Sequence, residues 1–190
     1  MKKLMIALAA VAVAAGVQAS AFTWKTASAQ YVYVGNGNAD KLSGATAYIF
    51  DAGKVSQSAL LTAWATDATF DISTFKVDGN GALDNRSVSS GAISKSADVT
   101  YGTAETNYQL YFAIVNGDSL YISAEQKYAA PAGADATQVQ FSPKSDSKPL
   151  PKDATAGYKG AGWYAAVPEP TSGLLLLLGV AGLALRRRRA

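Results

Sequence analysis

The sequence predicts a mainly β fold: an antiparallel β-sandwich with one short helix, plus an N-terminal signal helix and a C-terminal transmembrane helix. Three observations carry this expectation. Between residues 22 and 165, short runs of alternating apolar and polar residues recur, punctuated by Gly, Asn and Asp turn signals. One stretch, Val55 to Thr66, replaces that alternation with helical spacing. Each end of the chain carries an uncharged apolar run with basic residues on one side, a pattern that belongs to membrane-directed segments.

The amino end reads Met1-Lys2-Lys3, then Leu4 to Val17 without a charge, then Val17-Gln18-Ala19 and Ala19-Ser20-Ala21. A basic start, an apolar middle and small residues at alternate positions are what signal peptidase requires, so residues 1–21 read as a signal peptide. Cleavage after Ala19 and cleavage after Ala21 both fit. An exported domain follows, spanning residues 22–165, long enough for one sizeable core.

Phe22, Trp24 and Thr26 share one face of a first strand, and Tyr31 to Val34 read as a second that ends at Gly35-Asn36-Gly37-Asn38. Ala45 to Asp51 is almost continuously apolar, as expected of a central strand. In the following stretch Ala59, Leu60, Ala63 and Trp64 recur at helical spacing behind Ser56, a candidate N-cap, which predicts one short helix on an edge or an end of the sandwich. Phe70 to Val77 fits either a strand or a turn, and Asp78 to Gly81 a loop. Val88 to Ile93 and Ala97 to Tyr101 are weakly strand-like. The strongest pair is Tyr108–Val115 with Ser119–Ser123, joined by Asn116-Gly117-Asp118. A strand around Gln138 to Phe141, an exposed Lys- and Pro-rich loop to Lys152, and a last strand over Gly160 to Ala166 complete the domain. An α+β sheet with the helix across one face is the alternative; both place Trp24, Tyr48, Phe50, Phe112 and Ile114 near the core.

Composition removes several chemistries. The chain has no Cys and no His, so disulfides, thiol nucleophiles, Ser-His-Asp triads and imidazole zinc sites are excluded. The sequence pI near 9.0 is a property of the ends. Two of the 17 Lys and Arg lie in the signal and four at Arg186 to Arg189, leaving 11 against 14 Asp and Glu on the exported side. With a net charge there of about −3, a basic nucleic-acid surface is not expected.

Asp78-Gly79-Asn80-Gly81-Ala82-Leu83-Asp84 begins like a calcium loop, but Leu83 stands where glycine is needed and Ser89 where an acidic ligand is needed, so it reads as a solvated turn. Asn85-Arg86-Ser87 reads as a chance tripeptide. Asp67 with Asp71, or Glu105 with Glu125, could serve as acid and base only inside a cleft, and scattered acids on a small domain belong to its surface. No catalytic residue, cofactor site or metal ligand is assigned, and the domain is expected not to be an enzyme. Ten Tyr and three Trp can stack on sugar rings or fill a core; only exposed, coplanar rings would favour the first.

The carboxyl end is the most informative stretch. Val167, Pro168, Glu169, Pro170 and Thr171 form a non-helical strip, because each proline pushes its predecessor toward extended backbone. The apolar run 173–185 follows, behind Thr171 or Ser172 as cap, and then Arg186, Arg187, Arg188 and Arg189. The arginine block fixes a cytoplasmic carboxyl end and leaves the proline strip outside. Thirteen helical residues span roughly 20 Å against a hydrocarbon core of roughly 30 Å, so the segment suits a transient anchor better than a lasting one.

This three-part tail, residues 166–190, resembles the PEP-CTERM sorting signal. The resemblance implies processing by exosortase at or near Val167 to Thr171, in cells that export an exopolysaccharide-rich matrix. The expected life history is export, a membrane-anchored precursor, then the cell surface or extracellular matrix. Signal peptidase, exosortase and the membrane are the expected partners, with exopolysaccharide as a candidate ligand and no nucleic acid. The body is expected to be a non-catalytic structural or adhesion domain, with a carbohydrate-binding module as the alternative.

Overall fold

The computed structural model describes residues 19–34, 40–133 and 135–166. In chain order the elements are β1 (Ala19–Thr26), β2 (Ala45–Asp51), α1 (Gln57–Thr66), β3 (Asp84–Ser89), β4 (Ala92–Ile93), β5 (Val99–Thr103), β6 (Asn107–Asn116), β7 (Ser119–Ile122), β8 (Gln126–Ala129), β9 (Thr137–Phe141), β10 (Lys152–Asp153), a 3-10 turn at Ala154–Ala156, and β11 (Gly162–Ala165). They form two sheets. The smaller has the order β5-β1-β9; the larger runs β10-β11-β7-β6-β2-β3-β4, with β8 also paired to β6.

The strand β6 shows why the layers stack as they do. Leu110, Phe112 and Ile114 belong to one core cluster and Tyr111 and Ala113 to another, and all five are fully buried. Successive side chains of a strand point to opposite faces, so an unbroken apolar run requires cover on both. The smaller sheet covers the first face: Trp24 of β1 and Phe141 of β9 meet Phe112, at ring-centroid distances of 6.2 and 5.1 Å. On the second face, Leu60 and Leu61 of α1, with Val55 and Ile72, join Phe50, Tyr111, Leu120 and Tyr164.

The helix begins where the sequence predicts. Ser56 has extended backbone, and its hydroxyl accepts a hydrogen bond from Ala59 N at 3.1 Å. The helix covers part of the apolar outer face of the larger sheet, packing nearest to β7 and to the 3-10 turn that follows the edge strand β10. The sandwich and its alternative therefore coexist in one molecule: two facing sheets, and a helix across the outside of one.

Opposite the middle of β6 the neighbouring strand is broken. β7 pairs with Ala113–Asn116 and β8 with Asn107–Leu110. Ser123 fills the gap between them: its N–H donates to Phe112 O, and its hydroxyl accepts from Phe112 N, both at 2.9 Å. Gln57 Nε2 donates to Ser123 O at 2.8 Å, tying the first turn of α1 to the same residue.

Other departures from expectation have definite causes. The sheets are not wholly antiparallel: β9 runs parallel to β1, and β10 parallel to β11. Tyr31 to Val34 form no regular strand, only a bridge from Tyr33 to Lys41, since Val32 bonds instead to the backbone of Leu42 and Gly91. The first strand starts at Ala19, ahead of Phe22. The Lys- and Pro-rich segment is not a free loop: Ser147 is fully buried, and its hydroxyl accepts from Tyr33 N and donates to Tyr31 O. Tyr48 is half-buried, whereas Trp24, Phe50, Phe112 and Ile114 are fully buried.

Phe112 touches the rings of Trp24, Tyr121 and Phe141, so its truncation removes the centre of the inter-sheet core. Phe112→Ala should cost about 3–5 kcal/mol and lower the melting temperature sharply in a thermal scan. Ser123→Ala leaves the Phe112 N–H without its acceptor and should cost about 1–3 kcal/mol. Reductant should leave the wild-type transition in place, because there is no cysteine to reduce.

Candidate functional site

The residues expected to carry function lie at the two ends of the fold. Val167 to Thr171, the apolar run 173–185 and Arg186 to Arg189 lie outside the described residues, as do residues 1–18 of the predicted signal. No helix among the described residues is long and apolar enough to cross a membrane. The structure does place the points where both ends join the domain.

At the amino end, Ala19 is exposed and Ser20 is buried. The Ser20 hydroxyl donates to Pro131 O at 2.8 Å, and Tyr128 donates its phenolic hydrogen to Ala21 O at 3.1 Å. Ala19 pairs with Thr103 and Ala21 with Thr100, with a bulge between them. Of the two small residues at which cleavage fits, Ala19 is thus at the rim and Ala21 is already inside the sheet.

At the carboxyl end, β11 lies between β7 and β10, and its register with β7 runs from Gly162 opposite Ile122 to Ala165 opposite Ser119. Trp163 packs on Tyr121 and donates its indole N–H to Tyr33 O at 2.7 Å. Tyr164 faces the other way, donating its hydroxyl to Gly160 O and accepting from Lys159 N. Gly162 has a φ of 136°, and a Cβ there would come within 2.9 Å of Asp146 O, so only glycine fits the start of this strand. Ala166 is exposed and lies beside Trp64, Phe70, Val115 and Asp118 around a cavity of about 250 Å³.

The carboxylates considered as acid–base pairs hold turns instead. Asp67 Oδ1 accepts from the N–H and hydroxyl of Thr69, and Asp71 Oδ1 from those of Ser73. Asp153 does the same with Thr155. These bonds favour the charged form and draw all three carboxyls below their ordinary range. Glu105 and Glu125 are exposed, the first in the turn before β6 and the second in the link between β7 and β8. Asp78 occupies an exposed turn, whereas Asp84 accepts from Trp24 Nε1 at 2.8 Å and pairs with Arg86 at 3.0 Å. Among the described residues no group of three acidic side chains is arranged to hold a metal. None of the aromatic residues among those described is exposed, but Tyr31, Tyr48, Trp64, Phe70, Phe75, Tyr101, Tyr108 and Tyr158 are half-buried and the others buried; Leu150 is the one large hydrophobic residue exposed among those described.

Sequence reasoning missed Asp146, which sits in the segment read as a loop. Burial pushes its carboxyl above the ordinary range, while the Tyr121 hydroxyl, donating at 2.8 Å, pulls it back down. Lys152 is nearby and donates to Gly160 O and Ala161 O under the start of β11. The only signal was an acid among polar neighbours, which says nothing of depth.

The PEP-CTERM protein-sorting motif family matches residues 166–189. No curated protein and no solved structure matches the chain. The match covers the tail and begins at the last described residue of the domain. A motif of this kind implies export, exosortase processing at the membrane and a cell-surface destination.

The titration of the acids checks this geometry. In carboxyl NMR, Asp146 should titrate above the ordinary aspartate range, and Asp67, Asp71 and Asp153 below it. Asp146 therefore weakens the fold as pH rises through its folded value, and the other three weaken it as pH falls through theirs. Tyr121→Phe removes the bond that stabilises the Asp146 carboxylate and should move its titration further up.

Proposed function

We propose that this chain is a cell-surface or extracellular-matrix protein that exosortase processes after export, and that its β domain is a non-catalytic structural or adhesion body. The observation that carries the reading is the sorting motif at residues 166–189, attached without a linker to β11. The domain's own chemistry supports it. The chain has no Cys and no His, and its aspartates at 67, 71 and 153 cap their own turns. Among the described residues only Thr23 Oγ1 is a buried side-chain polar atom without a partner, so the interior is committed to holding itself together.

Two processing events complete the reading. Signal peptidase cuts after Ala19, because cutting after Ala21 would remove Ser20 and leave Pro131 O without its donor. Exosortase acts at or near Val167 to Thr171, releasing the domain from a membrane anchor formed by 173–185 and topologically fixed by Arg186 to Arg189. That no described aromatic residue is exposed supports a structural use of the aromatics over a sugar-stacking one.

Mass spectrometry of the exported protein should find Ser20 as its first residue. Replacing Pro168, Glu169 and Pro170 with alanine should leave a precursor in the membrane fraction. Unchanged maturation would mean that the tail is an anchor and nothing more; a first residue of Phe22 would mean that the Ser20 contact does not select the cleavage site.

A further inference from the structure

We propose that the cavity formed by Gln30 and the 142–148 segment binds the carboxylate groups of an acidic polysaccharide. The cavity has a volume of about 390 Å³ and is lined by Gln30, Ser142, Lys144, Ser145 and Lys148. Two ammonium groups, two hydroxyls and a carboxamide line it, and no carboxylate does. All but Gln30 are exposed, which makes an open groove suited to a side group of a polymer.

The backbone that carries these donors is held in place. Ser147, between the two lysines, is fully buried and bonded to Tyr31 O and Tyr33 N, and its own N–H donates to Pro143 O. Lys144 N donates to Gln30 Oε1 at 3.3 Å, so the carboxamide keeps its NH2 as a donor. Lys148 Nζ lies 4.7 Å from the centre of the Tyr33 ring, and Lys41 Nζ lies 3.6 Å from that of Tyr31. The two rings are 6.4 Å apart and nearly perpendicular, and Lys41 is not among the residues that line the cavity. Asp146, the acid within this segment, is turned to the Tyr121 hydroxyl.

A concentrated positive surface on a body whose charge is otherwise negative attracts anions locally. Single-stranded nucleic acid is a poorer fit, because it binds by stacking bases on open aromatic faces and the Tyr31 and Tyr33 rings have lysines over them. Hydroxyl and carboxamide groups beside the ammoniums suit a sugar that carries both hydroxyls and a carboxylate. The site stands on its geometry; that such a polymer is what the protein meets rests on the export reading.

The test uses the full chain in detergent with polygalacturonate, neutral dextran and single-stranded DNA as probes. Polygalacturonate should bind, more weakly as salt rises, and dextran should not. Replacing Lys144 and Lys148 together with alanine should weaken binding about tenfold or more while the melting temperature stays put. Replacement with arginine should retain it. Undiminished binding by the alanine variant, equal binding of dextran, or DNA binding as tight as polygalacturonate would each overturn the proposal. None of those outcomes touches maturation of the exported protein, which tests the export reading separately.

Discussion

A strand buried on both faces cannot be covered by one partner, and β6 imposes that constraint on the whole domain. Its inward side chains alternate between two cores, so the chain must supply a second sheet for one face and a helix for the other. The hydrogen-bonding edge is constrained as well. Where β7 ends and β8 has not begun, Phe112 would expose a backbone N–H and C=O inside the core, and Ser123 satisfies both. Because Gln57 bonds to that same residue, the helix is positioned by the break in the sheet that it covers.

The parts legible in the sequence were those where side chains and backbone give the same signal. β2 and the β6–β7 hairpin are dense in β-branched and aromatic residues, the hairpin turns at Asn116-Gly117-Asp118, and Ser56 caps a run with helical spacing. β3 and β8 were hidden because most of their residues are polar. In Asp84–Ser89 only Val88 is buried, and in Gln126–Ala129 only Tyr128, so the backbone ladder holds these strands and leaves little apolar periodicity to find. The parallel pairings were illegible for another reason: the two-residue period is the same whichever way a neighbour runs. The 142–148 segment looked like a loop because lysine, proline and serine dominate it, and no local signal marks Ser147 as the buried residue.

The tail was legible because it is read by enzymes and membranes as a linear pattern, and so was written in composition and order. The domain's role was not, because nothing in it requires a rare residue at a fixed spacing. Aromatic content illustrates the difference. Trp24 and Trp163 would each be consistent with a sugar platform by count, yet both are buried with their indole N–H groups bonded, to Asp84 and to Tyr33 O.

The first and last strands of the domain each have a neighbour on both sides: β1 lies between β5 and β9, and β11 between β7 and β10. A terminal strand at a sheet edge can peel away when its end is pulled or cut, whereas an interior one is held by two ladders. Buried Ser20 and Trp163 add side-chain anchors within a few residues of each junction. The proposed cut after Ala19 would remove only the first, exposed residue of β1, opposite Thr103, and a cut beyond Ala166 would leave β11 whole, so the buried side chains of both cores stay on the domain. Strands held by two ladders at both ends suit the proposed maturation, in which the domain loses the segments that flank it.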